Sequence, residues 1–474
     1  MSELLELTLV ELCQLLRERR ASPVELMQAS LDRIQSTHAA LNAVVARRPD
    51  DVLLAEARAA EARLQQGEGR PLEGIPLGVK DLEDVAGMVT SYGSLAYRDN
   101  LAERDSTQVA RLRRAGAIVV GKTNCPEFGY TAITKNLLYG VTRSPWDPER
   151  SPGGSSGGSA AALAGEVLPL VTASDGGGSI RIPASFTGAF GLKTSYGRVP
   201  RGPFEYWDHG MTAVQGPLTK TVEDAALVLD QVVGHDGHDP ASLPHPGMSY
   251  AEFVRGRLPG PLRVGFSPDL GYAIVQSDVA AVVEEAASVF EKLGHRLSVI
   301  RGGPPELAGQ WGLLGAFEIG GRISEFLPAR EADFMRSLLD GVHIARGVTQ
   351  AWWGEMSRAR ARLLHWVQEQ FSEYDLLLTP SVPYDPPPAK GPFPSQTEGR
   401  AQIVASVAAF TIPFNLAWNP AASVRAGVSK AGLPVGLQIV GPMQRDDLVL
   451  AAARAFERER PWHPHWPLRR AAQG

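Results

Sequence analysis

Residues 151–191 hold two glycine clusters, Gly153/Gly154/Gly157/Gly158 and Gly176/Gly177/Gly178, on either side of an alanine-rich run, and no other stretch constrains the fold as strongly. Glycine at this density lets the main chain take positive φ and lets amide groups come close to a ligand, at an entropic cost. Serines accompany both clusters: Ser155 and Ser156 within the first, Ser179 directly after the second. The small-residue run Ser159–Ala164 predicts a tightly packed helix, so the first glycine loop opens onto a helix N-terminus, a place suited to an anion or a developing oxyanion. A flexible linker would lack the apolar flanks Val167–Val171 and Ile180–Phe190. A phosphate-cradling loop would end in Gly-Lys-Ser/Thr, which is missing. A nucleophilic serine remains. Gly153-Gly154-Ser155-Ser156-Gly157 fits the G-x-S-x-G pattern of a hydrolase elbow, a weak signal when it stands alone.

A lysine far upstream bears on the choice. Gly74-Ile75-Pro76-Leu77-Gly78-Val79-Lys80-Asp81 ends an apolar, strand-like run on Lys80, where burial would disfavour the charged amine and make it a potential base. Lys80, Ser155 and Ser179 together resemble the Ser–cisSer–Lys triad of the amidase signature family. The resemblance continues through Gly121–Phe128, Asn136–Gly140, Ser144–Pro148, Gly191-Leu192-Lys193, Gly216–Thr219 and Gly432–Gly441, covering nearly the whole chain. It departs from the family pattern at Ala173-Ser174, Gly176, Thr187 and Thr194-Ser195, none of them a triad position.

The resemblance implies an amidase in which Ser179 is the nucleophile, Ser155 and Lys80 relay protons, and a cis peptide precedes Ser155. It also implies an oxyanion hole made of the backbone N–H groups of Gly176, Gly177, Gly178 and Ser179. Ser156 stands as a supporting residue, and Asp175 and Arg181 are placed to form a buried ion pair that fixes the nucleophile loop. Phe128, Tyr130, Phe204, Tyr206 and Trp207 lie near the motifs and are candidates for a substrate pocket, with a core role open to each. Two other functions compete. One is a glutaminase-type subunit of a tRNA-dependent amidotransferase, which shares the signature. The other is an α/β-hydrolase esterase with Ser155 or Ser156 as nucleophile, which would need a histidine and could dispense with Lys80.

The chain predicts an α/β fold with a central mixed β-sheet covered by helices on both faces, in a single amidase-signature domain over 1–474. An N-terminal helical arm spans about 1–66 and the signature core about 74–222. Capping-box spacing at Thr8–Glu11 and Ser22–Glu25, the latter followed by Pro23, starts two amphipathic helices. Helices are expected at about Asp51–Gln66, Ser106–Ala115, Val222–Val233, Asp278–Leu293 and Asp446–Glu457, with a mostly helical stretch over 305–372. Strands are expected at Ile75–Val79, Ala117–Gly121, Leu262–Phe266, Arg296–Ile300, Tyr374–Thr379, Ala421–Val424 and Val435–Val440.

Composition matters chiefly for what it excludes. With 44% hydrophobic and 21% charged residues in 474, the chain can bury a large core, and a net charge of −5 gives no basic footprint for nucleic acid. The two cysteines, Cys13 and Cys125, sit in dissimilar contexts and indicate neither a disulfide framework nor a zinc site, which suits a reducing cytoplasm. No stretch has the length of an apolar span or the pattern of a signal peptide. The histidines, among them His235, His238, His245, His463 and His465, form no ligand pairing, so neither metal nor cofactor is expected. The expected partners are a small-molecule amide and at most a second copy in a homodimer, with no nucleic acid and no membrane.

Overall fold

In the computed structural model, which describes residues 2–203 and 210–462, the first helices begin at the two capping boxes. Thr8 Oγ1 accepts from Glu11 N–H while Glu11 Oε2 accepts from Thr8 N–H at 2.8 Å, and Ser22 and Glu25 repeat the exchange. Helices Leu9–Arg17, Pro23–Leu41 and Asp50–Gln66 follow. The arm is tied to the body by buried polar contacts: Asp224 accepts from Val10 N–H at 2.9 Å, and Lys220 Nζ donates to Leu7 O at 3.0 Å.

The main strands form two ladders. Four strands run in the order Val44–Arg47, Ile118–Thr123, Pro76–Lys80, Leu170–Val171, with the last three parallel. Seven run in the order Leu218–Thr219, Phe190–Lys193, Ala421–Val428, Pro434–Val440, Leu376–Pro380, Arg263–Phe266, Arg296–Val299, antiparallel until the final two pairings. The expected mixed sheet is therefore present, with its ladder interrupted where Leu170–Val171 lies beside Leu218–Thr219. Both edges at that point are two residues long, too short to continue the pairing.

Helices flank the strands. The buried helix Gly157–Ala164 packs between the strands and the N-terminal arm, and helices Val222–Val232, Ser277–Ala287 and Asp446–Glu459 contribute to the largest apolar core. The single helix expected over Asp278–Leu293 is broken at Ser288, which caps a separate short helix, Val289–Lys292. Residues 305–372 are mostly helical, as Ala308–Ile323, Arg336–Ala345 and Gln350–Glu373, and this layer packs through Trp311, Ile319 and Leu363 over the glycine loops and the Glu127 turn. Among the described residues no helix is long and apolar enough to cross a membrane.

Candidate active site

The Pro76–Lys80 strand ends on the lysine that the sequence singles out, and its register places Lys80 beside Thr123 of the neighbouring strand. Thr123 and Ser159 share a 2.7 Å hydrogen bond, fixing the Gly157–Ala164 helix against the strand ends. Gly158 permits this approach, since a Cβ there would lie 2.2 Å from the Asn124 nitrogen. The loop leading into the helix is thereby laid over the lysine. Its peptide between Gly154 and Ser155 is cis.

Lys80 is fully buried, and its Nζ lies 2.8 Å from both Ser155 Oγ and Ser156 Oγ, 3.0 Å from Ser174 Oγ and 3.3 Å from the Ser174 carbonyl. Three of these partners are hydroxyls, which donate or accept as required, so the site can satisfy either a charged or a free amine. Burial lowers the lysine from its ordinary 10.5 to about 8, against the opposing pull of Cys125, Glu83 and Asp175. The next buried lysine, Lys122, differs in kind, because it stands 3.8 Å from the Asp81 carboxylate.

The second glycine cluster carries Ser179, which is partly exposed and whose Oγ makes no hydrogen bond within the described residues. Ser156 N–H donates to the Ser179 carbonyl at 3.3 Å, holding the two serine loops side by side. The loop is braced from within by Asp175, whose carboxylate accepts from the N–H groups of Gly178 at 2.7 Å and Ile180 at 3.1 Å. Gly178 has φ +133°, open to glycine, and a Cβ there would strike Thr411.

Arg181 meets Asp175 with two nitrogens, at 3.0 and 2.9 Å, both residues fully buried. Burial alone would raise the Asp175 carboxyl, but the Arg181 charge overrides it and holds Asp175 well below the usual carboxylate range. The remaining arginine valences go to the Thr411 carbonyl at 3.0 Å, Gln438 Oε1 at 2.7 Å and Asn415 Oδ1. Asn415 also donates to Asp175 Oδ1 at 2.9 Å, and Thr411 Oγ1 donates to the Gly177 carbonyl at 2.6 Å.

The four amides expected as oxyanion donors differ in what they meet. The Gly178 N–H is committed to Asp175, whereas those of Gly176, Gly177 and Ser179 form no hydrogen bond within the described residues. Of the pocket candidates, Phe128 has no exposed surface. It stacks on Tyr92 at 5.8 Å and meets Tyr97 edge-on at 5.5 Å, in the core that joins the signature region to the helical layer. Tyr130 is partly exposed; Phe204, Tyr206 and Trp207 lie outside the described residues.

Sequence reasoning missed Trp311, whose ring lies so close to Gly177 that a Cβ there would come within 2.6 Å of it, and whose Nε1 donates to Thr212 Oγ1 at 3.0 Å. It also missed Ser174 as a partner of Lys80, although the hydroxyl at that departure from the family pattern was a visible signal. Among the described residues no cluster of His, Cys, Asp or Glu could hold a metal ion.

A hydroxyl beside unpaired amides, with a second hydroxyl and a buried amine close by, is an arrangement suited to acyl transfer by a serine. The comparisons with known proteins agree. The family profile described as Amidase matches residues 25–450. An acylamidase of Rhodococcus erythropolis is 36% identical over 475 residues, covering 96% of each chain. A glutamyl-tRNA(Gln) amidotransferase subunit of Geobacter sp. strain M21 is 33% identical over 486 residues, covering 97% of this chain and 99% of that one. The crystal structure of a bacterial aryl acylamidase of the amidase signature family superposes with a TM-score of 0.91 at 30% identity, covering 98% of both chains. The chain belongs to the amidase signature family, and it is an amide-bond hydrolase.

Proposed function

We propose that Ser179 attacks the carbonyl carbon of a small carboxylic amide, that the amine leaves as an acyl-enzyme forms, and that water then hydrolyses the acyl-enzyme. The Ser179 proton passes to Ser155 and on to a neutral Lys80, which returns it to the departing amine. The N–H groups of Gly176, Gly177 and Ser179 receive the oxyanion; donors so placed are each worth roughly 10²–10³ in turnover. The observation that carries the reading is the 2.8 Å contact of Lys80 Nζ with Ser155 Oγ in a buried setting where, among the described residues, no carboxylate bonds to the amine.

The Trp311 ring beside Gly177 supports an apolar or aromatic group next to the reacting carbonyl, in keeping with a similarity to acylamidases. The two cysteines, both buried and free, suit a reducing cytoplasm. Similarity to amidotransferase subunits supports a second reading, in which the same site releases ammonia from glutamine within a complex.

A serine-directed fluorophosphonate tests the nucleophile. One adduct is expected, on Ser179, and none in Ser179→Ala; an adduct on Ser155 would overturn the assignment. Turnover of aryl and aliphatic amides by the isolated chain is expected without any partner. Glutaminase activity appearing only with co-purified subunits would establish the second reading.

A further inference from the structure

The glycines that let the nucleophile loop present its amides give those amides no direction of their own, because a residue without a Cβ turns freely about φ and ψ. Order in the loop must come from what grips it. Asp175 accepts from Gly178 N–H at 2.7 Å. The carbonyl at the other end of the same peptide, that of Gly177, accepts from Thr411 Oγ1 at 2.6 Å and has no other donor among the described residues. A peptide is planar, so holding it at both ends fixes its orientation. This peptide also lies between two of the amides left free for an oxyanion: Gly177 N–H belongs to the peptide before it, and Ser179 N–H to the peptide after it.

We propose that Thr411 is a positioning residue for the oxyanion hole, its hydroxyl turning the Gly177–Gly178 peptide so that the N–H groups of Gly177 and Ser179 point at the reacting oxygen. The inference deepens, and rests on, the reading of Ser179 as nucleophile with these amides as donors. It assigns part of the hole to a side chain 234 positions from the glycine it holds.

The surroundings of Thr411 place this role on its hydroxyl. The residue is fully buried, and a second acceptor, the Ala408 carbonyl, lies at 3.2 Å. A hydroxyl has one proton, and the shorter contact takes it; turned toward Ala408, it would leave two oxygen lone pairs facing each other at the Gly177 carbonyl. The Thr411 backbone is held in turn, its N–H donating to the Ala408 carbonyl at 3.1 Å and its own carbonyl accepting from Arg181 Nη1 at 3.0 Å. Thr411 caps the short helix Ile412–Leu416, and one turn further on Asn415 donates to the Asp175 carbonyl at 3.0 Å. The same helix therefore grips the loop at both of its glycine-flanking ends. Around the clamped peptide there is no slack: a Cβ on Gly177 would strike the Trp311 ring, and one on Gly178 would strike Thr411.

Thr411→Ser keeps the hydroxyl and Thr411→Ala removes it, and as a pair they differ in that group alone. A fluorophosphonate reads the hole without a known substrate, because negative charge builds on its phosphoryl oxygen as the Ser179 oxygen attacks phosphorus and displaces fluoride. In Thr411→Ala the maximal inactivation rate should fall roughly 10-fold or more, toward the roughly 10²–10³ that a lost oxyanion donor costs. The half-saturating reagent concentration should stay within about twofold, since the clamp acts on the transition state and not on ground-state binding. Thr411→Ser should label within about threefold of the wild type, its hydroxyl making the same donation. Thermal unfolding shows whether each variant is folded, and if Thr411→Ala is not, Thr411→Val keeps the shape and is read in its place. Labelling of the alanine variant at the wild-type rate, an equal loss in Thr411→Ser, or a loss confined to the half-saturating concentration overturns the proposal, while an adduct still mapped to Ser179 leaves the nucleophile standing. A wild-type adduct on another serine sinks the nucleophile and this inference with it.

Discussion

Asp175 and Glu83 are both buried carboxyl groups whose charge acts on Lys80, and burial pushes both upward, yet they end on opposite sides of their ordinary values. The difference lies in their donors. Asp175 accepts from three backbone amides, from Asn415, and from a guanidinium that grips both its oxygens. Glu83 accepts from the Gln215 amide, from a distant Ser106 hydroxyl and from the Thr172 side chain, and among the described residues no guanidinium grips it as Arg181 grips Asp175. A carboxylate keeps its charge in a protein interior when hydrogen bonds and a cation replace the water it has lost, and gives it up when they do not. The nucleophile loop thus gains a fixed anion to bend around, while the carboxyl behind the lysine keeps its proton up to about pH 7.

Removing the cation from the Asp175 side should break the contrast with the largest effect. Arg181→Met leaves Asp175 buried and uncompensated, which should cost about 3–5 kcal/mol in urea unfolding at neutral pH and abolish turnover with the loop geometry. The sign of the pH dependence is specific. Asp175 has a folded pKa below its ordinary 3.8, so its contribution is present above that value and is lost as pH falls through the folded pKa. The deficit of the variant should therefore shrink on acidification, as its uncompensated Asp175 takes up a proton that the wild-type carboxylate does not, and a deficit independent of pH would show that packing, and not charge, holds the loop.

Lys80→Arg comes next, replacing a base with a group that cannot deprotonate in a protein. Turnover should fall by roughly 10²–10⁴-fold while thermal unfolding shows a folded chain. Wild-type activity should rise with pH through about 8, as Lys80 loses its proton, and then level off. Substantial turnover by the arginine variant would make Lys80 a fixed charge. A smaller change on the Asp175 side is Asn415→Leu, which removes a donor to Asp175 and an acceptor for Arg181 and should cost about 1–3 kcal/mol. Full stability of that variant would show that the arginine grip alone suffices.

How much of this was legible in the sequence follows from the range of the interactions. Helix starts at Thr8 and Ser22 are set by partners three residues away, and local pattern finds them. Lys80 and the two serine loops stand out because glycine clusters and an apolar run ending in lysine are local oddities. The brace on the nucleophile loop is not local: Thr411 and Asn415 reach it from more than two hundred residues downstream, and neither belongs to a motif. Glycine content announces that amides can turn toward a ligand but not which one is taken internally, as Gly178 is by Asp175. Phe128 illustrates the same limit, since proximity to a motif in sequence cannot separate a pocket wall from the core behind it. Glu83 reads as an ordinary charged residue until the fold buries it against Gln215, 132 positions away.

The smallest expected effect is the most pointed test of the contrast, because the two carboxyls should give stability trends of opposite sign. Glu83 has a folded pKa raised to about 7 from 4.5, so between those values the folded chain keeps a proton that the unfolded chain has released. Folding therefore loses stability from this group as pH rises across that window, the reverse of Asp175. Glu83→Gln carries no such proton. Compared with the wild type, it should gain on the order of 1–2 kcal/mol in unfolding free energy between about pH 5 and pH 8, whatever its offset at the acidic end. Other buried carboxyls, Glu127 and Glu457 among them, are pushed up to about 7 as well, but they are common to both proteins and cancel in the difference. A difference that stays flat with pH would mean that Glu83 has an ordinary pKa in the folded chain. A difference that falls would mean that an ionised Glu83 is stabilised by Lys80, so that the two carboxyls behave alike and the lysine is held as a cation between them.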